Sequence, residues 1–185
     1  MTDNENAQPA PTAPESERPE RTDIPTTWDE RTSLMTLLKY TRATARHKCE
    51  KLAEEHAREA PLPSSPLMTI SGVVNHMRWV EYSWIDVVFF GGEDEGPWTK
   101  QDPDREFSIA LEYPLEQVLA EYEQLADLHD AKLAGIDLDT HAQRRLRNGD
   151  HPTLRWIILH LIEENARHNG HIDILREMAD GTTGD

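Results

Sequence analysis

The segment that most restricts the fold is the last one. It runs from about Pro152 or Thr153 to Ala179 with apolar side chains at helical spacing, and stops ahead of Gly181. A helix of that length needs apolar partners, and three more helical patterns supply them. The first covers about Asp29 to Glu50, with Leu34, Leu37, Leu38, Thr41 and Ala45 on one stripe. A weaker turn from Leu52 to Arg58 follows. It is stopped by Ala60-Pro-Leu-Pro-Ser-Ser-Pro66, because proline cannot continue a helix and restrains the residue before it. The second long pattern covers about Leu67 to Phe90 and ends at Gly91-Gly92. Ile70, Val73, Val74, Met77, Val80, Trp84, Val87 and Val88 fall on its broad face. The third starts near Pro114 and passes through Val118, Leu119, Tyr122, Leu125 and Leu128 to about Leu133. No stretch alternates convincingly as a strand. The expectation is an all-α chain folded as a four-helix bundle.

What lies outside these patterns sets the domain plan. Residues 1–27 are Pro, Glu, Thr, Ala and Asn without hydrophobic period and read as a disordered tail. The bundle is expected over 28–180, and 181–185 as a flexible C-terminus. Residues 93–113 read as a long loop, either packed or acting as a lid, and substrate choice is expected there. A polar connection spans Ile136 to His151. The formal charge of -16 repels phosphate backbones and disfavours nucleic-acid partners. No apolar run is long enough for a membrane span and no secretory leader opens the sequence, so a cytoplasmic protein is expected. The single cysteine, Cys49, excludes an internal disulfide and a multi-cysteine zinc site. Nothing beside it in sequence activates it as a nucleophile, so it reads as a buried structural thiol. Bundles of this kind often pair as homodimers, although no exposed apolar stripe marks an interface in the sequence.

Chemistry concentrates on the last segment. On a wheel of about 100° per residue, Glu164 and His168 fall in the middle of the apolar stripe shared by Ile157, Leu161 and Leu175. A carboxylate there is costly unless something pairs with it, and a metal ion supplies the missing charge. Residues at i and i+4 project about 5–6 Å apart, close enough to share one ion. His76, bordering the core stripe of the second helix, offers a third ligand from a second element. Three ligands leave positions open for water or substrate. The same residues allow an ordinary reading: an i,i+4 pair, or carboxylate and imidazole answering Arg42 or Arg46.

Other residues stand near this set. His160 and His171 lie near the same face and are alternative ligands. Trp79 and Glu81 of the Trp-x-Glu-x-x-Trp run are candidate pocket residues, whereas Trp84 reads as core. Arg155 and Arg167 are candidates for a carboxylate-bearing ligand, though such arginines are commonly solvated. The histidines at 47, 56, 129, 141 and 151 read as solvated, on polar faces or in loops.

Two stretches carry a resemblance. Gly72-Val-Val-Asn-His76-Met-Arg-Trp-Val-Glu81-Tyr-Ser-Trp84 and the run from Leu154 to Glu177 resemble the DinB-like superfamily, more narrowly its DUF664 branch, typified by the mini-circle protein. Asp29-Glu-Arg31 and His47-Lys-Cys49-Glu-Lys-Leu52 also match that branch. The resemblance covers about residues 28–180. It implies a four-helix bundle with a metal triad, which in much of the superfamily is three histidines. This chain departs from that pattern, with Glu164 in place of one histidine. The mycothiol-dependent members use a His, Glu, His set, which His76, Glu164 and His168 match. The implied activity is a metal-dependent S-transferase using a low-molecular-weight thiol such as mycothiol and a small-molecule electrophile. A metal hydrolase, with Glu163 or His171 moving protons, and a non-enzymatic metal-binding helical module are the alternatives. Two histidines and a carboxylate suit zinc first, with nickel, iron or manganese also fitting.

Overall fold

The computed structural model describes residues 21–184. Capping chemistry sets where its helices begin. In α1 (Glu30–Lys48) the Asp29 carboxylate accepts a hydrogen bond from Thr32 N at 3.0 Å. The short α2 (Glu54–Ala57) follows, and then α3 (Ile70–Tyr82), where Thr69 Oγ1 accepts from Gly72 N at 2.9 Å. The one-turn α4 is Arg105–Ile109. α5 (Leu115–Leu133) opens on Pro114, which brings no side-chain cap, and the orphan Leu115 N–H donates instead to Glu54 of α2 at 3.0 Å. α6 (Leu154–Asp180) is capped by Thr153, which accepts from Trp156 N at 3.3 Å, and it closes on left-handed Gly181. Among the described residues there is no strand, only an isolated bridge between His141 and Thr153.

The four long helices pack as an all-α bundle, α1 against α6 and α3 against both α5 and α6. Two apolar clusters fill it. One gathers Val73, Met77, Val118, Leu119, Ile172 and Leu175. The other gathers Leu38, Ile85, Leu133, Leu154, Ile158 and Leu161. Full burial of each such side chain contributes on the order of 1.5–3 kcal/mol. Along α6 the clusters end at Leu161 and resume at Ile172, and buried polar residues fill the interval. Asn165 Oδ1 accepts from the Tyr122 hydroxyl at 3.2 Å, and Asn169 Nδ2 donates to the Thr41 carbonyl at 2.8 Å.

Several expectations shift. Leu37 and Leu128, read as stripe residues, are 39% and 59% exposed. The second long segment is α-wound only from Ile70 to Tyr82 and continues as a π-helical turn over Ser83–Phe89. There Phe90 N donates to Ile85 O, five residues back, at 3.0 Å. The 93–113 loop carries α4 and a 3₁₀ turn over Ala110–Glu112, with Glu106 and Ala110 buried. Of the expected N-terminal tail, residues 1–20 lie outside the described residues. From Arg21 the chain lies against α1, with Arg21 Nε donating to Thr44 Oγ1 at 3.3 Å and Pro25 buried. No described helix is long and apolar enough to cross a membrane.

Candidate metal centre

The centre of the buried face of α6 runs through Leu154, Leu161, Asn165 and Ile172. Because the two asparagines are core residues with internal partners, the buried face is rotated from where the apolar residues alone put it. Glu164 and His168 therefore lie on its flank and not at its middle. They are half-buried, at 14% and 12% exposure. His76 faces them from α3 at 21% exposure. One ligand atom from each of the three residues falls within 4.8 Å of the others. Glu164 Oε2 sits 3.3 Å from His168 Nε2, and the His76 and His168 rings meet edge-on at 4.8 Å.

The surroundings keep the imidazoles neutral. Burial lowers the His76 pKa from its ordinary value, against the opposing pull of Glu164 and Asp104. Burial, followed by the neighbouring His76 and His171, pushes His168 down to about 4. Neutral rings present free lone pairs, the form a metal requires. His76 is further fixed by Phe107 of α4, which stacks on it at 4.5 Å and 16°. Its Nδ1 is buried without a hydrogen-bond partner among the described residues. Glu106 Oε1 lies 3.5 Å away without making a hydrogen bond to it, and Glu106 Oε2 is likewise buried and unpartnered. Burial raises the Glu106 pKa. Where a histidine ligates through one ring nitrogen, a carboxylate beside the other is the usual supporting arrangement. The donor set, two neutral imidazoles and one carboxylate, fits a divalent cation with open positions.

The alternative candidates arrange themselves around this set. His160 lies between Trp156, stacked at 5.0 Å, and Trp84, edge-on at 4.7 Å, with its Nε2 3.8 Å from Glu164 Oε1. His160, Glu163 and Glu164 form a second group of possible ligands, but Arg167 already bonds Glu163 and reaches Glu164 Oε1 at 3.2 Å. His171 Nδ1 lies 3.3 Å from His168 Nδ1. Arg42 and Arg46 do not answer Glu164. Arg42 binds Glu81 and Asp130, and Arg46 binds Glu116 and Glu123. Arg155 is tied to Glu30 and Asp139 on the surface. Trp79 packs among Tyr82, Trp98 and Arg78. Cys49 is buried, which pushes its thiol up to about 12, so it stays a structural thiol.

Two readings need correction. Glu81 lines no pocket. It is fully buried, and Arg42 grips both its oxygens at 2.8 and 2.7 Å. His129 is not solvated either. It is fully buried, with Nδ1 2.8 Å from Glu81 and Nε2 2.8 Å from Asp86. Its place on α5 shows in the sequence, since a wheel aligns it with Leu115, Tyr122, Ala126 and Leu133. Glu106 carries no such signal, because a single turn inside a long loop has no period to read.

A family model described as mycothiol-S-transferase matches residues 33–181. No curated protein matches the chain.

Proposed function

The chain belongs to the mycothiol-S-transferase family, of the DinB/YfiT-like kind, and on that premise we propose that it joins the sulfur of mycothiol to a small electrophile with a divalent metal ion at His76, Glu164 and His168. The observation that carries the reading is the meeting of two neutral, half-buried imidazoles and one carboxylate within 4.8 Å of one another. A bound ion of the zinc class supplies positive charge that lowers a thiol's pKa and keeps the sulfur nucleophilic at neutral pH. The protein's own residues do the rest. His76 is held in place by Phe107 and offered a carboxylate by Glu106, which favours one ring orientation. His171, beside His168 Nδ1, limits rotation of that ring. Arg167 draws one Glu164 oxygen outward and leaves the other facing His168. Burial of the set shields the thiol from bulk water. A cytoplasmic location goes with this chemistry, because thiols are kept reduced there.

A hydrolase is less well supported. Arg167 holds Glu163 through hydrogen bonds and lowers its pKa, which weakens it as a base. The test combines metal analysis of purified protein with mycothiol-dependent conjugation of an electrophile, in wild type and in His168→Ala. Zinc-class metal and turnover are expected in the wild type, and neither in the variant. Full transferase activity in His168→Ala would sink the reading, and thiol-independent turnover would favour hydrolysis.

A further inference from the structure

Beside His168, away from Glu163 and Arg167, the structure holds a cavity of about 270 Å³. Residues 65–68, Val73 and Phe107 form most of its wall, and His168 and His171 the remainder. Its composition is unusual for this chain. The protein carries 54 charged aspartate, glutamate, lysine and arginine residues (35 acidic and 19 basic), yet none of them lines this space. The wall is apolar apart from Ser65 and two imidazoles, one of which belongs to the candidate metal set. Phe107 serves both sides, stacking on His76 and walling the cavity.

We infer that this cavity binds the electrophile, and that the electrophile is a small, uncharged, predominantly apolar molecule about the size of a substituted single ring. The inference rests on the transferase reading above for the role it gives the cavity, but the binding preference stands on the lining alone. An apolar cavity of about 150 Å³ accommodates benzene, so this volume takes a ring with its substituents and not a sugar-bearing thiol as well. A carboxylate in the same space would lose its hydration without gaining a cationic side chain from the wall. Arg167, the basic residue nearest along α6, is occupied by Glu163 and Glu164. The overall charge of -16 opposes anions again at longer range.

On a chlorinated ring the sulfur lone pair forms the carbon–sulfur bond, the carbon–chlorine bond breaks, and chloride leaves with its electron pair. The thiol proton passes to solvent. The substitution is redox-neutral, with mycothiol as the nucleophile.

The experiment compares methyl 4-chloro-3,5-dinitrobenzoate with its anionic counterpart 4-chloro-3,5-dinitrobenzoate, using mycothiol and correcting for the uncatalysed rates. A preference of about tenfold or more in kcat/KM for the neutral compound is expected. Leu67 is a lining residue 38% exposed at the cavity mouth, so it tolerates a charge. Leu67→Arg should narrow or reverse the preference while circular dichroism stays unchanged. Equal use of both compounds by the wild type, or preference for the acid, overturns the inference. A second arm omits the thiol and follows His168 and His171 by NMR while unreactive 1,3-dinitrobenzene or 3,5-dinitrobenzoate is added. Selective shifts with the neutral compound, without turnover in the first arm, uphold the cavity and defeat the transferase reading. Turnover with indiscriminate binding does the opposite.

Discussion

Two histidine–carboxylate clusters share α3 and its π-wound extension, and they differ in one respect. Around His129 every polar group has a partner: Arg42 on Glu81, His129 between Glu81 and Asp86, Lys132 on Asp86. Around His76 and His168 the partners run out, leaving His76 Nδ1 and Glu106 Oε2 buried and unmatched among the described residues. Native interiors leave few such groups, and those that persist call for an explanation. A closed cluster holds elements together and has nothing left to offer a ligand. An open one costs stability in the free protein and recovers it when something binds. Glu81 and His129 at the heart of the closed cluster are fully buried, whereas the open set is half-buried, which is the distribution that structure and reactivity respectively require.

The comparison breaks most sharply at Glu81. Glu81→Ala strands both Arg42 and His129, each 8% exposed or less, without their shared carboxylate. Removing one partner of a buried ion pair costs about 3–5 kcal/mol. Urea denaturation should show a loss of that size, while mycothiol turnover per folded molecule stays near wild type. A loss under about 1 kcal/mol would mean that the closed cluster is not structural after all.

Glu106 sharpens the other side. Glu106→Gln keeps the shape of the residue beside His76 but removes its charge. Zinc affinity, measured by competition with a chromophoric chelator, should fall on the order of 10–100-fold. Stability of the metal-free form should hold or rise, because a buried, unpaired carboxyl is gone. Unchanged affinity would remove Glu106 from the site.

Not all of this contrast was legible in the sequence, and the reasons are physical. The ends of α6 and the start of α1 were, because Asp29, Thr153 and Gly181 act through chemistry local to one turn, whereas α3 starts at Ile70 behind its Thr69 cap and not at Leu67. The triad was, because i,i+4 spacing on α6 and a face position on α3 carry over directly into geometry. The closed cluster was hidden by the π-turn. In a regular helix Glu81 and Asp86, five apart, diverge by about 140°. Winding that bonds each residue to the one five back turns them to the same side, where they take the two nitrogens of His129. Apolar periodicity does not register that change in winding. The burial of Asn165 and Asn169 stayed hidden for a related reason, since apolar spacing takes no account of polar residues whose partners are internal.

The smallest expected effect concerns protons, and it separates the clusters without metal. His168 has its pKa pushed from 6.5 to about 4 by burial. Between those values the unfolded chain takes up a proton at this position that the folded chain refuses, so stability rises with pH across the window and falls on acidification. The metal-free wild type should therefore lose stability relative to His168→Gln as pH drops from about 6.5 toward 4. The effect stays modest because the ring is only half-buried and solvent screens it. The acidic limb of Asp86 lies lower. Burial raises its carboxyl pKa, but His129 and Lys132 outweigh that and hold it below its ordinary value. Its contribution is present above that ordinary value and fades only as pH falls through the depressed one. Chemical denaturation at stepped pH, wild type against variant, reads the two windows separately. Parallel curves from pH 7 to 4 would show that the His168 ring titrates alike in the folded and unfolded chain, and the open site would lose its claim to neutral imidazoles.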